Sequence, residues 1–319
     1  MIFAGALAAL LTLAAPPVRA SPSSSDALLR EHLWEQVRLL KPGRRPRVGL
    51  VLSAGSVRGL AHVGVIHVLE NAGFPIDVVA GTSMGAVIGS LYAGGLSLER
   101  LWEIGAATRL NSGNNLNTIR LISLILNDQL LSSAPLEKML HDGLGERRFD
   151  ELEKPFACVA MDISTGEKII FRDGPLAPAV RASMNLPGIF KPVLYRHRYL
   201  VDGGVVDYIP VDAAKLLGAE WTLASVTEHD YSNETPTNVL GALEQVIDIR
   251  GALLSRRQRR EADVLIEPDV GSIVYYDVAK AVQVMERGMI AASAAINGAK
   301  EGLILKSIPG LFPAEEALP

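Results

Sequence analysis

Residues 76–85 read Ile76-Asp77-Val78-Val79-Ala80-Gly81-Thr82-Ser83-Met84-Gly85, and a helical stretch rich in alanine, valine and isoleucine follows to about Ala93. The short apolar run predicts a buried strand, and the longer run after it predicts a helix. Between them, the G-x-S-x-G spacing at 81–85 fits a turn that reverses the chain sharply. Side chains at 81 and 85 would clash with the returning backbone, and the serine between them is left exposed on a strained turn. The helix N-terminus behind Ser83 favours negative charge developing there. Glycine makes up 29 of 319 residues, so the five-residue pattern alone carries limited weight; the strand before it and the helix after it supply the rest. The plain alternative is a tight strand-to-helix turn with Ser83 as helix N-cap.

Outward from this turn the same grammar recurs. Arg47 to Ser53 predicts a buried strand, Ser53-Ala54-Gly55-Ser56-Val57-Arg58-Gly59 a glycine-containing turn, and Gly59 to Asn71 a helix. The turn matches neither G-x-x-x-x-G-K-[ST] nor G-x-G-x-x-G, which argues against a phosphate loop. Backbone N–H groups in such a loop suit an oxyanion, each donor contributing about 3 kcal/mol. A simple turn and helix start is the alternative. Further strand-like runs lie at Phe156–Met161, Lys168–Phe171, Tyr199–Val201, Trp221–Val226 and Val264–Ile266, most separated by helical patterns. This alternation predicts an α/β fold: a three-layer α/β/α sandwich with a mainly parallel central sheet. With no internal repeat and no composition break after residue 45, one domain is expected.

The chain is 49% hydrophobic and 21% charged, long enough to bury a core without staples. Its one cysteine, Cys158, excludes an internal disulfide and a cysteine-rich metal cage, and it reads as inert core. A net charge of −4 argues against a nucleic-acid partner. Ile2 to Ala15 is an apolar run too short to span a bilayer comfortably, followed by Pro16-Pro17-Val18-Arg19-Ala20. Small residues at 18 and 20 match a signal peptide over 1–20 cleaved after Ala20, with a retained N-terminal anchor as the alternative. A signal peptide implies export, to a bacterial periplasm or outside the cell. Residues 21–46 read as a linker and an N-terminal helix, and 303–319 as a C-terminal tail.

A serine nucleophile needs a base. None of the six histidines has a compelling setting: His62 and His67 lie within an early helix, and only His229 falls in the order Ser…Asp…His. Asp202-Gly203-Gly204 is more suggestive, because Arg198 to Val201 delivers Asp202 to a strand end and two glycines leave room for another loop to approach. A bare D-G turn is the alternative. Two further segments stand out. Thr118 to Leu131 is strongly apolar and covers the site, dips into lipid or packs as a core helix. Arg256-Arg257-Gln258-Arg259-Arg260 reads as a solvated helical face beside Glu261 and Asp263, or as a contact for an anionic bilayer.

From about Arg47 to Gly302 the chain resembles the bacterial patatin-like phospholipases. Four blocks carry the resemblance: Ser53 to Gly59, Gly81 to Gly85, Arg181-Ala182-Ser183 through Pro187-Gly188-Ile189-Phe190-Lys191-Pro192-Val193, and Asp202 to Gly204 followed by Pro210-Val211. The resemblance implies a catalytic domain over 47–302 that hydrolyses acyl esters of lipids, of phospholipase A or lysophospholipase type, with no metal and no cofactor. It implies a Ser83–Asp202 dyad without histidine and an oxyanion hole at Gly55 and Ser56. Ala54, Arg58, Gly59, Gly81, Gly85, Gly203 and Gly204 would support the elbow and loops, Arg58 as a structural anchor. The sequence departs from the family at Ala54 and Ser56, where two loop glycines are expected. A weakly active or non-catalytic lipid-binding member of the same fold is therefore the alternative. The implied partner is a lipid or membrane surface.

Overall fold

A computed structural model of the chain describes residues 25–107, 134–228, 230–231, 235, 239–273 and 278–308. The expected signal peptide, the Thr118–Leu131 segment, His229 and residues 309–319 of the expected tail lie outside the described residues, while residues 303–307 of that tail belong to the last helix, Ala281–Ser307. Strands β1 (Val48–Leu52) and β2 (Val78–Thr82) are buried at every position, as a strand covered on both faces must be. Strands β3 (Phe156–Asp162), β4 (Lys168–Phe171), β5 (Val193–Tyr195), β6 (Arg198–Asp202), β7 (Trp221–Ser225) and β8 (Val264–Ile266) complete one sheet. Its order is β5-β6-β3-β2-β1-β7-β8, with β4 pairing β3. The strands from β3 to β8 along that order pair in parallel, while β4 and β6 run antiparallel to β3.

The sheet is thus mainly parallel, as expected, with an antiparallel flank. One flanking strand, β5, is not legible in the sequence. It forms a hairpin with β6 through Arg196 and His197, both at positive φ (45° and 70°). Two-residue hairpin turns of this kind normally announce themselves with Asn-Gly or Asp-Gly, and Arg-His gives no such signal.

Alternate residues of each central strand feed two cores. Val48, Leu50, Leu52, Val79, Phe156, Cys158, Trp221 and Leu223 face one side. There α1 (Ser25–Arg38), α2 (Ala61–Asn71), α3 (Met84–Ala93), α4 (Leu98–Ala107), α5 (Ala134–Leu144), α6 (Leu176–Ser183) and the long α9 (Ala281–Ser307) contribute side chains such as Trp34, Leu69, Ile88, Leu140, Val180 and Met285. Val51, Val78, Ala80, Ala157, Val159 and Ala224 face the other side, under α7 (Val211–Leu216) and against Leu254 of α8 (Val239–Gln258). These two faces make the three-layer sandwich. Helices α2 and α9 meet backbone to backbone, since a Cβ at Gly64 would overlap the Met285 carbonyl and one at Gly288 the Ala61 carbonyl. Among the described residues no helix is long and apolar enough to cross a membrane.

From β1 the chain passes to β2 on one side and reaches β7 on the other. A crevice at the carboxyl ends of parallel strands is expected at such a reversal. The Ser53–Gly59 loop leaves β1 there, and Ser83 leaves β2 next to it.

Candidate active site

Ser83 sits between β2 and α3 with φ 56° and ψ −123°, a left-handed backbone that non-glycine residues rarely adopt. Close packing holds it there. A Cβ at Gly81 would collide with the carbonyl of Gly85, and one at Gly85 would collide with the carbonyls of Leu52 and Ser53. The Ser83 N–H donates to Ser183 Oγ at 3.0 Å, tying the turn to the end of α6. Ser83 is 3% exposed, so its side chain is steered by the protein rather than by water.

Its hydroxyl donates to Asp202 Oδ2 at 2.6 Å. Asp202 arrives from the other direction, at the end of β6. The Gly204 N–H donates to its second oxygen, Oδ1, at 2.7 Å, and its own N–H donates to the Asn185 carbonyl at 2.9 Å. Gly203 lies so close to the Val159 carbonyl that a Cβ would overlap it. Burial pushes the Asp202 carboxyl up to about 7, against the lowering effect of the bonds from Ser83 and Gly204. An isolated carboxylate in such surroundings pays for lost hydration, and two donors do not fully replace it.

The loop after β1 forms the third wall. Ala54 N–H donates to the Tyr208 carbonyl, and the Thr227 hydroxyl to the Ala54 carbonyl at 3.1 Å. Gly55 passes so near Thr227 that a Cβ would overlap its hydroxyl and come within 2.8 Å of its carbonyl. Ser56 has φ 50°, so the residue that replaces an expected glycine occupies glycine-like backbone. Gly59 lies under Met84, where a Cβ would come within 2.7 Å. Arg58 bonds to groups outside the loop. It is fully buried and donates to Asp248 Oδ1 at 2.8 Å and to the Ile273 carbonyl at 3.2 Å. Ala54, Gly55, Ser56, Ser83, Asp202 and Gly204 line one small cavity of about 20 Å³, together with Leu186, Tyr208, Ile247 and Asp248.

His62 is the histidine drawn into this region, and it holds structure together. Its Nε2 donates to the Ser53 carbonyl at 3.0 Å, which leaves Nδ1 to accept from the Ser225 hydroxyl at 2.8 Å. Both nitrogens are used, and burial lowers its pKa to about 4. Cys158 is buried in β3, and burial raises its thiol far above the ordinary range. Among the described residues no group of three or more His, Cys, Asp or Glu is placed to hold a metal ion. A roomier cavity, about 240 Å³, lies between β4 and the β5–β6 hairpin, lined by Arg172, Arg196 and Arg198. It contains no serine or cysteine, so the paired hydroxyl and carboxylate mark the smaller one as the place for chemistry.

The sequence brought forward Ser83, Asp202 and the glycines around them. It gave no role to Ser183 and Asn185, although both stand in the quoted 181–193 block. Thr227, Tyr208 and Asp248 carry no motif; only folding reveals them as supports.

Comparison with known proteins adds the following. The family model described as patatin-like phospholipase matches residues 50–215, a span that contains both Ser83 and Asp202. A patatin-like phospholipase domain-containing protein of Caenorhabditis elegans is 36% identical over 179 residues, covering 56% of this chain and 13% of that protein. An uncharacterized NTE family protein of Mycobacterium bovis is 37% identical over 185 residues, covering 56% of this chain and 48% of that protein. The chain therefore spans half or less of the length of these relatives. Among solved structures, human GIVD cytosolic phospholipase A2 is similar at 13% identity and a TM-score of 0.48, covering 88% of this chain and 63% of that one.

Proposed function

The chain belongs to the patatin-like phospholipase family, and on that premise we propose that it is a serine hydrolase cleaving acyl esters of lipids, of phospholipase A or lysophospholipase type. The observation that carries this reading is the 2.6 Å bond from the Ser83 hydroxyl to the buried Asp202 carboxylate. In the proposed reaction Asp202 accepts the Ser83 proton as the oxygen attacks the ester carbonyl. The N–H groups of Gly55 and Ser56 stabilise the oxyanion. As the tetrahedral intermediate collapses, Asp202 returns the proton to the departing alcohol, and an acyl-serine remains. Water then attacks that ester, giving its proton to Asp202, and the acid product leaves as the proton returns to Ser83. A carboxyl with its pKa near 7 is matched to this task, because a base works best when it titrates near the working pH.

A second reading, a weakly active or non-catalytic lipid-binding member, is favoured by Ser56 in left-handed backbone. One experiment separates the two. A fluorophosphonate probe should label wild-type protein and not Ser83→Ala, and p-nitrophenyl esters across chain lengths should be hydrolysed only by the former. Absence of labelling with the fold intact would reject the hydrolase. The N-terminal segment supports a further proposal, that the chain is exported and cut after Ala20; sequencing the mature N-terminus tests it.

A further inference from the structure

Helix α8 has two opposite stripes. Its inner stripe is Asp248, Gly251, Ser255 and Gln258, spaced three and four apart. Asp248 pairs with Arg58, Gly251 packs on the Tyr208 ring, and Ser255 donates to Glu228. The Gln258 side-chain oxygen Oε1 accepts from the N–H groups of Tyr208 and Ile209, while its Nε2 donates to Asp207. With Ile247 and Asp248 lining the cavity at Ser83, α8 forms one wall of the candidate site.

The outer stripe is Val246, Arg250, Leu253 and Arg257, spaced four, three and four, with Arg256 beside it and Arg260 following in the 3-10 turn Arg259–Glu261 that continues the helix. This is one face of a helix. Val246 is 63% exposed and Leu253 51%; Arg250, Arg256, Arg257 and Arg260 are exposed as well. Arg259 is drawn inward to Glu228 and Glu267, so it does not belong to this face. The acidic neighbour of the stripe is Glu261, 3.8 Å from Arg257. Three exposed arginines along this face and Arg256 beside it, in a chain whose net charge is −4, are a local excess of positive charge, although Arg250 also donates to the Val205 carbonyl at 3.2 Å; two exposed aliphatic side chains lie among them. Exposed apolar residues flanked by arginines along a helix fit the boundary of a bilayer that carries negative headgroups.

We infer that the outward face of α8 and of the 3-10 turn after it, from Val246 to Arg260, docks this protein on anionic lipid bilayers. The inference rests on the lipid-hydrolase reading for its purpose but not for its test. A helix that meets the bilayer with one face and lines the cavity with the other brings the candidate site close to the lipid surface.

Flotation of the full chain with vesicles tests the surface, using Ser83→Ala so that turnover cannot consume the lipid. Binding to phosphatidylcholine vesicles carrying about 30% phosphatidylglycerol should exceed binding to phosphatidylcholine alone by about tenfold and should weaken with added salt. The double substitution Arg256→Glu with Arg260→Glu should lower binding to the anionic vesicles by about tenfold or more. Leu253→Ser should lower it severalfold. In the Ser83 background these same substitutions should leave hydrolysis of a soluble short-chain ester within about twofold, because neither arginine nor Leu253 lines the cavity. Equal binding to neutral and anionic vesicles, or unchanged binding by the double variant, overturns the proposal. So does a dimer that Leu253→Ser dissolves on size-exclusion chromatography, which would assign the face to a second copy of the chain. Vesicle binding together with a soluble ester left intact would overturn the hydrolase reading and support the surface.

Discussion

Two strand-to-helix turns meet at this site, and they are built differently. The turn at 81–85 is fixed by backbone lying against backbone: Gly81 on Gly85, and Gly85 on Leu52 and Ser53. The turn at 53–59 is fixed by hydrogen bonds to distant parts of the chain: the Thr227 hydroxyl, itself backed by the Tyr208 hydroxyl on the Thr227 carbonyl, the main-chain carbonyl of Tyr208, and Asp248 through Arg58. Close packing of main chain tolerates no added atom and leaves a glycine signature. A loop held by hydrogen bonds tolerates change at its own positions, provided its anchors remain. That contrast explains why the first turn keeps both pattern glycines and the second carries alanine and serine.

The largest effect is expected where main chain meets main chain. Gly85→Ala puts a methyl into the Leu52 and Ser53 carbonyls, which cannot rotate away. Folded, active protein should be lost, read as the absence of a cooperative thermal transition near that of wild type. A stable and active Gly85→Ala would show that the elbow yields as the loop does.

Next comes the chemistry that the elbow presents. Asp202→Asn should keep the fold and lower kcat/KM by about two to four orders of magnitude, while His229→Ala should change it by less than about twofold. Below pH 7 wild-type kcat/KM should fall about tenfold per unit, because the carboxyl pushed up to about 7 by burial is then protonated. Stability moves the other way. Unfolded, this carboxyl ionises near 3.8; folded, it keeps its proton to about 7. Between those values the folded state binds the extra proton, so its stability falls as pH rises from about 4 to about 7 and levels off above. Asparagine has no such titration, so the Tm of Asp202→Asn relative to wild type should climb across that window. A constant difference would mean that Asp202 is well solvated.

A smaller and repairable effect is expected in the loop. Gly55→Ala meets the Thr227 hydroxyl first and the Thr227 carbonyl at 2.8 Å second. It should lower kcat/KM by about tenfold to a hundredfold by displacing an oxyanion donor. Thr227→Ala in the same chain removes the first overlap and should recover part of that loss, so the two substitutions are non-additive. Strict additivity would deny that this contact sets the loop.

How much of this was legible follows the same contrast. Strands buried on both faces reveal themselves as apolar runs, so the parallel strands β1, β2, β3 and β7 were readable. Ser83 and Asp202 were readable because each needs glycine beside it, where Gly85 and Gly203 face carbonyls. Asp248 was not, because it reaches Arg58 across 190 positions through one ion pair, and no local spacing records such a contact. The β5–β6 hairpin was hidden for a related reason: Arg196 and His197 adopt positive φ without the residues that usually signal it.

The smallest expected effect bears on the departure itself. Ser56 has φ 50°, where a Cβ costs about 1 kcal/mol relative to glycine. Ser56→Gly should therefore stabilise the protein by about that amount, a gain of a few degrees in Tm. Its effect on kcat/KM should stay under about threefold, because an oxyanion donor is a backbone N–H and does not depend on the side chain. If the loop is held from outside, by Thr227, Tyr208 and the Arg58–Asp248 pair, glycine at 56 relieves strain without moving that N–H. A tenfold rise in kcat/KM would instead mean that the serine pulls the loop out of line. The loop's own glycines would then matter as much as those of the elbow, and the distinction between the two turns would fail.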